Sequence, residues 1–395
     1  MRFRYSEENG KLIKKAVVYT RDEHGINIAD VDPEAVSIVQ RLKNAGFETY
    51  IVGGAVRDLI IGKKPKDFDI VSEANPGRIK KLFRNSRIIG RRFKLVHVYF
   101  GPRIFEVATF RSLKDGLTSN TFGTVSDDVL RRDFTMNALF YDPTQQTVVD
   151  YVSGMKDIMA KRVKPIIPLA TIFTDDPVRM IRAIKYAAAT NFSLPLPLKL
   201  KIRSQSPLLA SISPSRLTEE IFKIIHSPNV AGIVKALDEM GLYDYLQPKA
   251  AELMKNNSGF RSRYIRSMAS LNQEGFKNLP GEALGVLIND YLEDIADWER
   301  GITENYKTFY SAARKFVLPM NPPRYELEYA IRRFFAAHGI NIRKSHIIDW
   351  AKRGSQAAQE TAAECPPDTA PKKRRKRKRK KGIKSGEPAV VSSKE

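Results

Sequence analysis

Short apolar runs with strand-like composition crowd the first part of the chain, and longer helical periodicities fill the part that follows. Residues 1–30 are polar apart from one strand-like run at 16–19. Apolar side chains recur at helical spacing over 36–42, and that helix is expected to end near Gly46. The runs 49–52, 68–71, 87–89, 95–100, 104–110 and 147–151 are rich in β-branched and aromatic residues and predict strands, interleaved with helical stretches. Beyond about Gly154 the strand signal fades, and 177–190, 198–205, 214–225, 230–240, 280–298, 305–316 and 324–338 predict helices. From Ser355 onward Ala, Glu, Thr and Pro give way to Lys and Arg, and no core can be built there. The pattern predicts an α+β chain in five parts: a leader over 1–30, a head with a small mixed sheet over 31–155, a helical neck over 156–226, a helical body over 227–354 and a disordered basic tail over 355–395.

Charge adds a partner to this picture. The chain has 67 Lys+Arg against 44 Asp+Glu, a formal charge of +23. Ten of the cations form one run, Lys372-Lys373-Arg374-Arg375-Lys376-Arg377-Lys378-Arg379-Lys380-Lys381, and +23 less those ten leaves +13, so the folded part is basic too. Such a balance points to a polyanion, nucleic acid ahead of a membrane surface. Cys365 is the single cysteine, which excludes a disulfide scaffold and a cysteine-based zinc site. No apolar segment follows Met1-Arg2-Phe3-Arg4-Tyr5-Ser6 and no run reaches about 18 apolar residues, so neither a signal peptide nor a membrane span is expected, and the expected location is the cytoplasm.

Three acids stand out in the head. In Asp67-Phe68-Asp69-Ile70-Val71 the strand period sends Asp67 and Asp69 to one face, with Phe68 and Ile70 toward the core. Two such carboxylates repel, and a hard divalent cation such as Mg²⁺ suits oxygen ligands of this kind; the plain alternative is a pair of solvated aspartates at a strand end. Glu106, in Ile104-Phe105-Glu106-Val107, sits among apolar neighbours where a carboxylate is costly unless paired or metal-bound, or else it lies on an exposed sheet face. Three carboxylates converging from adjacent strands would hold two Mg²⁺ ions, which would activate a 3′-hydroxyl and bridge the phosphate under attack. Tyr50-Ile51-Val52-Gly53-Gly54-Ala55-Val56-Arg57 reads as strand, glycine turn and helix. Backbone N–H groups at Gly53 and Gly54, the helix N-terminus and Arg57 could cradle a phosphate there, just ahead of Asp67 and Asp69. His97, on the apolar run 95–100, reads as a structural histidine.

Gly53-Gly54-x-Val56-Arg57-Asp58, followed by Gly62-Lys63-Lys64-Pro65-x-Asp67-Phe68-Asp69, resembles the head motif of the class II nucleotidyltransferases, the bacterial tRNA CCA-adding enzymes and bacterial poly(A) polymerases. The resemblance runs over more than half of the chain, to about residue 223, and fades in the helical body. It implies a nucleotidyltransferase head with ATP as substrate and Mg²⁺ as cofactor.

Arg131-Arg132-Asp133 looks like the family's second motif, which implies that Arg132 and Asp133 orient the nucleotide's phosphates and sugar; Asp133 stays beside Glu106 as a candidate third catalytic acid. Asp175-Asp176-Pro177-Val178-Arg179-Met180-Ile181-Arg182 is similar to the family's Glu-Asp-x-x-Arg motif, with Asp175 where Glu is common. Asp176 is also a good N-cap with Pro177 behind it. On the functional side Asp176 and Arg179, one turn apart, present an acceptor and donors to a base edge without a template, and Arg182 belongs to the same nucleotide-binding set. Arg216-Leu217-Thr218-Glu219-Glu220 falls where the family braces head against neck, or is a surface ion pair.

Within the family, three features resemble the poly(A) polymerase branch: the segments 82–85 and 94–98, the leader Arg21-Asp22-Glu23-His24-Gly25-Ile26, and the Lys/Arg run after a polar linker, which would add salt-sensitive affinity for RNA. The link 111–128 is shorter than in the proteobacterial poly(A) polymerases, which bears on primer handling rather than on chemistry. The expectation is template-independent addition of AMP from ATP to the 3′ ends of mRNA and other transcripts. CCA addition to tRNA is the first alternative, and a non-catalytic RNA-binding protein the second.

Overall fold

In the computed structural model, residues 2–8, 11–90, 95–112, 121–274, 276 and 279–342 are described. The basic run 372–381, Cys365 and residues 113–120 of the link 111–128 lie outside the described residues.

The head is built on nine strands: β1 (Arg2–Glu8), β2 (Lys11–Tyr19), β3 (Thr49–Val52), β4 (Asp69–Ser72), β5 (Ser86–Ile89), β6 (Leu95–Phe100), β7 (Arg103–Thr109), β8 (Leu139–Asp142) and β9 (Thr147–Asp150). They lie in one sheet in the order β1-β2-β9-β8-β3-β4-β7-β6-β5. Every pairing is antiparallel except β4 against β7. The leader is joined to this sheet. β2 pairs with β9, and from β1 the Arg4 guanidinium donates to Glu48 Oε1 at 2.8 Å and to the Tyr50 hydroxyl at 2.7 Å. An edge strand such as β1 has no neighbour to bury its outer side and tolerates charge, so it leaves little apolar signal. β8 is short and buried throughout.

Helix Pro33–Asn44 starts where Asp32 accepts from the Glu34 N–H at 2.9 Å and Pro33 supplies a preset φ. Its buried Ala35, Ile38, Val39 and Leu42 recur at helical spacing against β3 and β4. Helix Pro76–Leu82 covers β5 and β6. On the other face helix Val125–Leu130 lays Val125 and Val129 onto Val52, Val71, Phe140 and Val149.

Directly paired residues project to one face, so a single row can be followed across the sheet. Arg87 stands opposite His97, and His97 opposite Glu106. Ile70 of β4 pairs with Val107 of β7, so Asp69 lies beside Glu106. Asp69 in turn stands opposite Val52, Val52 opposite Phe140, and Phe140 opposite Val149. The Val52–Phe140–Val149 half of the row lies under Val125 and Val129. The Asp69–Glu106–His97–Arg87 half stays open: Asp69, Glu106 and Arg87 are exposed and His97 is half-buried. The acids therefore stand where the sheet passes from covered to open.

Helices Val178–Thr190, Leu196–Gln205 and Pro214–Ile225 fall in the stretch expected as the neck, and Val230–Glu239, Pro248–Asn256, Ser258–Ser270, Pro280–Ile295, Ile302–Phe316 and Arg324–Ala337 in the stretch expected as the body. Phe260, Tyr264, Phe309, Phe316 and Phe335 fill the body's core.

Candidate active site

At Gly53 the chain leaves β3 and enters helix Gly54–Ile60 with φ +74° and ψ −136°, a conformation open in practice only to glycine. A Cβ placed there would lie 3.7 Å from Asp69 Oδ2, so the bend and the carboxylate share one wall. Solvent reaches Asp69, yet protein crowds it from several sides. That burial, the Asp67 charge and the Glu106 charge, in that order, push its carboxyl up to about 6, while Arg132 pulls the other way. Two residues of local chain and one of the next strand thus bring three acids around one space.

An all-oxygen donor set suits a hard cation. Among the described residues no three His, Cys, Asp or Glu side chains already enclose an ion. Mg²⁺ is commonly held by one or two carboxylates, waters and substrate phosphates, so Asp67 and Asp69 with Glu106 beside them fit its chemistry without a finished cage.

The second motif separates the two candidate third acids. Glu106 stands by Asp69 on the next strand, whereas the Asp133 carboxylate accepts from the Phe134 N–H at 2.8 Å and lies 3.7 Å from Arg182 of the neck. Arg132 donates to Asp128 Oδ2 from Nε at 3.1 Å and Nη2 at 2.8 Å, gives Nη1 to the Asn137 carbonyl at 3.0 Å, and lies over the Phe140 ring at 4.9 Å. Arg57 is buried, with Nε and Nη2 donating to Asp58 Oδ1 at 2.9 and 2.7 Å, Nη1 donating to Asn137 Oδ1 at 2.8 Å, and Tyr186 of the neck 5.5 Å away. A Cβ on Gly54 would sit 3.6 Å from Arg57 Nη2, so this glycine borders the arginine while Gly53 borders the acid. Arg57 thus ties the turn to Asn137 of the second motif and to Tyr186.

In the neck, Asp176 Oδ1 accepts from the Val178 N–H at 3.2 Å and Oδ2 from Arg216 at 2.7 Å, so the capping role and a brace from helix Pro214–Ile225 coexist on one carboxylate. Arg179 is buried and donates to the Ile172 carbonyl at 3.1 Å; burial lowers its pKa. Glu219 lies outside with Lys223, while Glu220 is buried beside Lys185 at 3.4 Å, Arg182 at 3.6 Å and Lys223 at 3.3 Å. Burial pushes the Glu220 carboxyl up, but Lys185, Arg182 and Lys223 together hold it below its ordinary value. Lys185 and Asn137 were not singled out from the sequence. The signal for Lys185 was present, since Arg179, Arg182 and Lys185 recur every third residue along one helix face. The net arrangement sets acids and a glycine bend in the sheet against arginines from the second motif and the neck, which suits a polyphosphate held with a cation.

Residues 49–164 match the family described as the poly A polymerase head domain, and residues 191–254 match one described as "Probable RNA and SrmB-binding site of polymerase A". The chain is 40% identical over 256 residues to Poly(A) polymerase I of Salmonella typhi, across 61% of this chain and 55% of that protein. It is 35% identical over 236 residues to the CCA-adding enzyme of Geobacillus kaustophilus (strain HTA426), across 58% of each. Its fold is similar to the crystal structure of the Bacillus stearothermophilus CCA-adding enzyme in complex with CTP, with a TM-score of 0.54, 25% identity, and coverage of 82% of this chain and 89% of that one. The chain spans about half the length of the curated relatives it matches. Among the described residues no helix is long and apolar enough to cross a membrane.

Proposed function

From a chain that carries a poly A polymerase head domain and is related to both poly(A) polymerases and CCA-adding enzymes, we propose a template-independent nucleotidyltransferase that lengthens the 3′ ends of mRNA and other transcripts in the cytoplasm with AMP from ATP. The observation that carries this reading is Asp69 beside the Gly53 bend, its carboxyl raised to about 6 by burial and then by the Asp67 and Glu106 charges.

The primer's 3′-oxygen bonds to the α-phosphorus of ATP as the bond to the bridging oxygen breaks, and pyrophosphate leaves. Asp67 and Asp69, with Glu106 beside them, would hold Mg²⁺, one ion or two, which supplies activation of the hydroxyl and neutralisation of the phosphate charge. Gly53 and Gly54 give the triphosphate close approach to backbone N–H groups. Arg132, fixed by Asp128 and the Asn137 carbonyl, keeps a positive charge next to Asp69. Asp133 and Arg182 meet the sugar and phosphates from the neck side, and Asp176 with Arg179 meets the edge of adenine. Arg57 contributes by holding the turn. The RNA lies on the segment 191–254 and on the basic run 372–381, which gives sequence-independent affinity.

Identity to a poly(A) polymerase I exceeds that to the CCA-adding enzyme, which supports AMP over C-C-A as the product. The likeness in fold to a CCA-adding enzyme with CTP supports the second reading, tRNA maturation. The test offers ATP, CTP or both to an unstructured RNA and to a tRNA lacking its terminus. Long A tracts on the unstructured RNA are expected. Stopping after C-C-A on the tRNA replaces this reading with the second, and no incorporation on either leaves a non-catalytic RNA-binding protein.

A further inference from the structure

We propose that the open flank of the sheet, β7–β6–β5, seats the last nucleotides of the RNA primer, with Tyr99 as a base-stacking platform and Arg87 as a phosphate contact; this rests on the nucleotidyltransferase reading above.

In-line transfer puts the attacking and leaving oxygens on opposite sides of the phosphorus. The groups suited to the leaving side lie on one flank of Asp69: the Gly53 bend at the end of β3 and Arg132 over Phe140 of β8. The primer must then approach from the other flank, and there the row continues through Glu106, His97 and Arg87. This half of the face is open. The Glu106 side chain is 52% exposed and lies 3.4 Å from His97, which is 21% exposed.

Tyr99 is two residues from His97 and so projects to the same face, opposite Ile104, which is 52% exposed. Its ring meets His97 edge-on, with centroids 6.4 Å apart and planes at 72°. The reverse face of the same strands, Val96, Val98, Phe105 and Val107, is sealed in the core. An aromatic and imidazole strip on an otherwise open sheet face offers π-surfaces that any base can use, as a polymerase of unspecific primers needs. Arg87 ends the row on the edge strand, roughly 14 Å from Asp69 at three strand spacings, a span for a few nucleotides of single-stranded end. Its exposed cation is complementary to the phosphate backbone arriving there.

The test uses the full chain, an unstructured oligoribonucleotide primer and ATP. Tyr99→Ala should raise primer KM about 5- to 100-fold, the effect of losing one stacked base, while Tyr99→Phe keeps the ring and stays near the parent value. Arg87→Gln should lower the slope of log primer KM against log salt by about 0.7, one phosphate contact on a single strand. In both variants KM for ATP should move far less than KM for primer. Unchanged primer KM in Tyr99→Ala together with an unchanged salt slope in Arg87→Gln, in a chain whose parent turns over, overturns the primer seat alone. So does a rise of both KM values together, which would mark a structural role. A parent chain that incorporates neither ATP nor CTP sinks the underlying reading instead.

Discussion

Asp69→Asn separates the electrostatic work of the acid cluster from its chemistry. Holding Asp69 at about 6 against an ordinary 3.8 means that its ionised form is disfavoured in the folded protein by about two pKa units. At about 1.36 kcal/mol per unit this is about 3 kcal/mol at face value. Solvent reaches the carboxylate and screens its neighbours, so the part felt as stability is about 1–2 kcal/mol. The folded state binds this proton more tightly than the unfolded one. Metal-free protein should therefore gain stability as the pH falls from above 6 toward 4, and lose it in the other direction. Asparagine carries no charge to repel. Asp69→Asn should be more stable than the parent by that amount in EDTA at pH 8, and the difference should fade by about pH 4.5. Urea unfolding followed by far-ultraviolet circular dichroism at the two pH values reads this directly. Mg²⁺ at ten times its dissociation constant should stabilise the parent by about 1.4 kcal/mol and leave the variant where it was. The variant should transfer no AMP. A variant that is less stable than the parent at pH 8, or whose gain is the same at both pH values, would refute the claim that burial and the Asp67 and Glu106 charges disfavour the ionised Asp69.

Gly53→Ala should cost about 1–3 kcal/mol in urea unfolding because of the positive φ, and should raise KM for ATP, since its methyl group would face Asp69 Oδ2. Glu220→Gln leaves Arg182 and Lys185 without their buried anion and should destabilise by about 3 kcal/mol at pH 7. Because Glu220 is held below 4.5, its contribution is present above that value and is lost as the pH falls through its folded pKa, so parent and variant unfolding midpoints should converge in acid. Arg216→Ala breaks an exposed pair and should change stability by less than about 1 kcal/mol, but by releasing Asp176 it should alter the ratio of AMP to CMP incorporated from a mixture of ATP and CTP; an unaltered ratio would remove the brace from nucleotide choice.

Much of this was legible in the residues, for physical reasons that can be named. Gly53 could be read because a strand, a glycine pair and a helix in that order leave few backbone solutions, and Asp69 because the strand period sets it on the face opposite the buried Ile70, whereas Asp67 precedes the strand. Glu106 could be read two ways, as a carboxylate costly among apolar neighbours or as one on an exposed sheet face, and the second describes its exposure: Phe105 and Val107 enter the core and the acid takes the alternate, open face. β1 escaped notice because an edge strand carries charge, and β8 because four buried residues beside a motif have no period to show. Helix Ser258–Ser270 was missed for a related reason: its burial rests on Phe260, Tyr264 and Met268 alone, one per turn, among serines and arginines. The partners of Arg57 could not be read in advance: an arginine one turn into a helix behind a glycine bend looks aimed at an anion, and its bond to Asn137, 80 positions later, has no local signal in the sequence.

The helix Val125–Leu130 ties these levels together. Its Val125 and Val129 close the apolar half of the sheet, which buries Val52 and Phe140 and ends the covered region at Asp69. From the same short element Asp128, itself buried, grips Arg132 through two nitrogens and holds that guanidinium over Phe140. Arg132 in turn opposes the upward push on Asp69. One face of a six-residue helix thus sets where the covered half of the sheet stops, while Asp128, just ahead of Val129, sets through Arg132 how much negative charge the stopping point can carry. A core this closely coupled to a charge cluster explains why the acids can be crowded enough to demand a cation and still lie on a well-packed sheet: the desolvation that raises Asp69 comes from the same packing that stabilises the head.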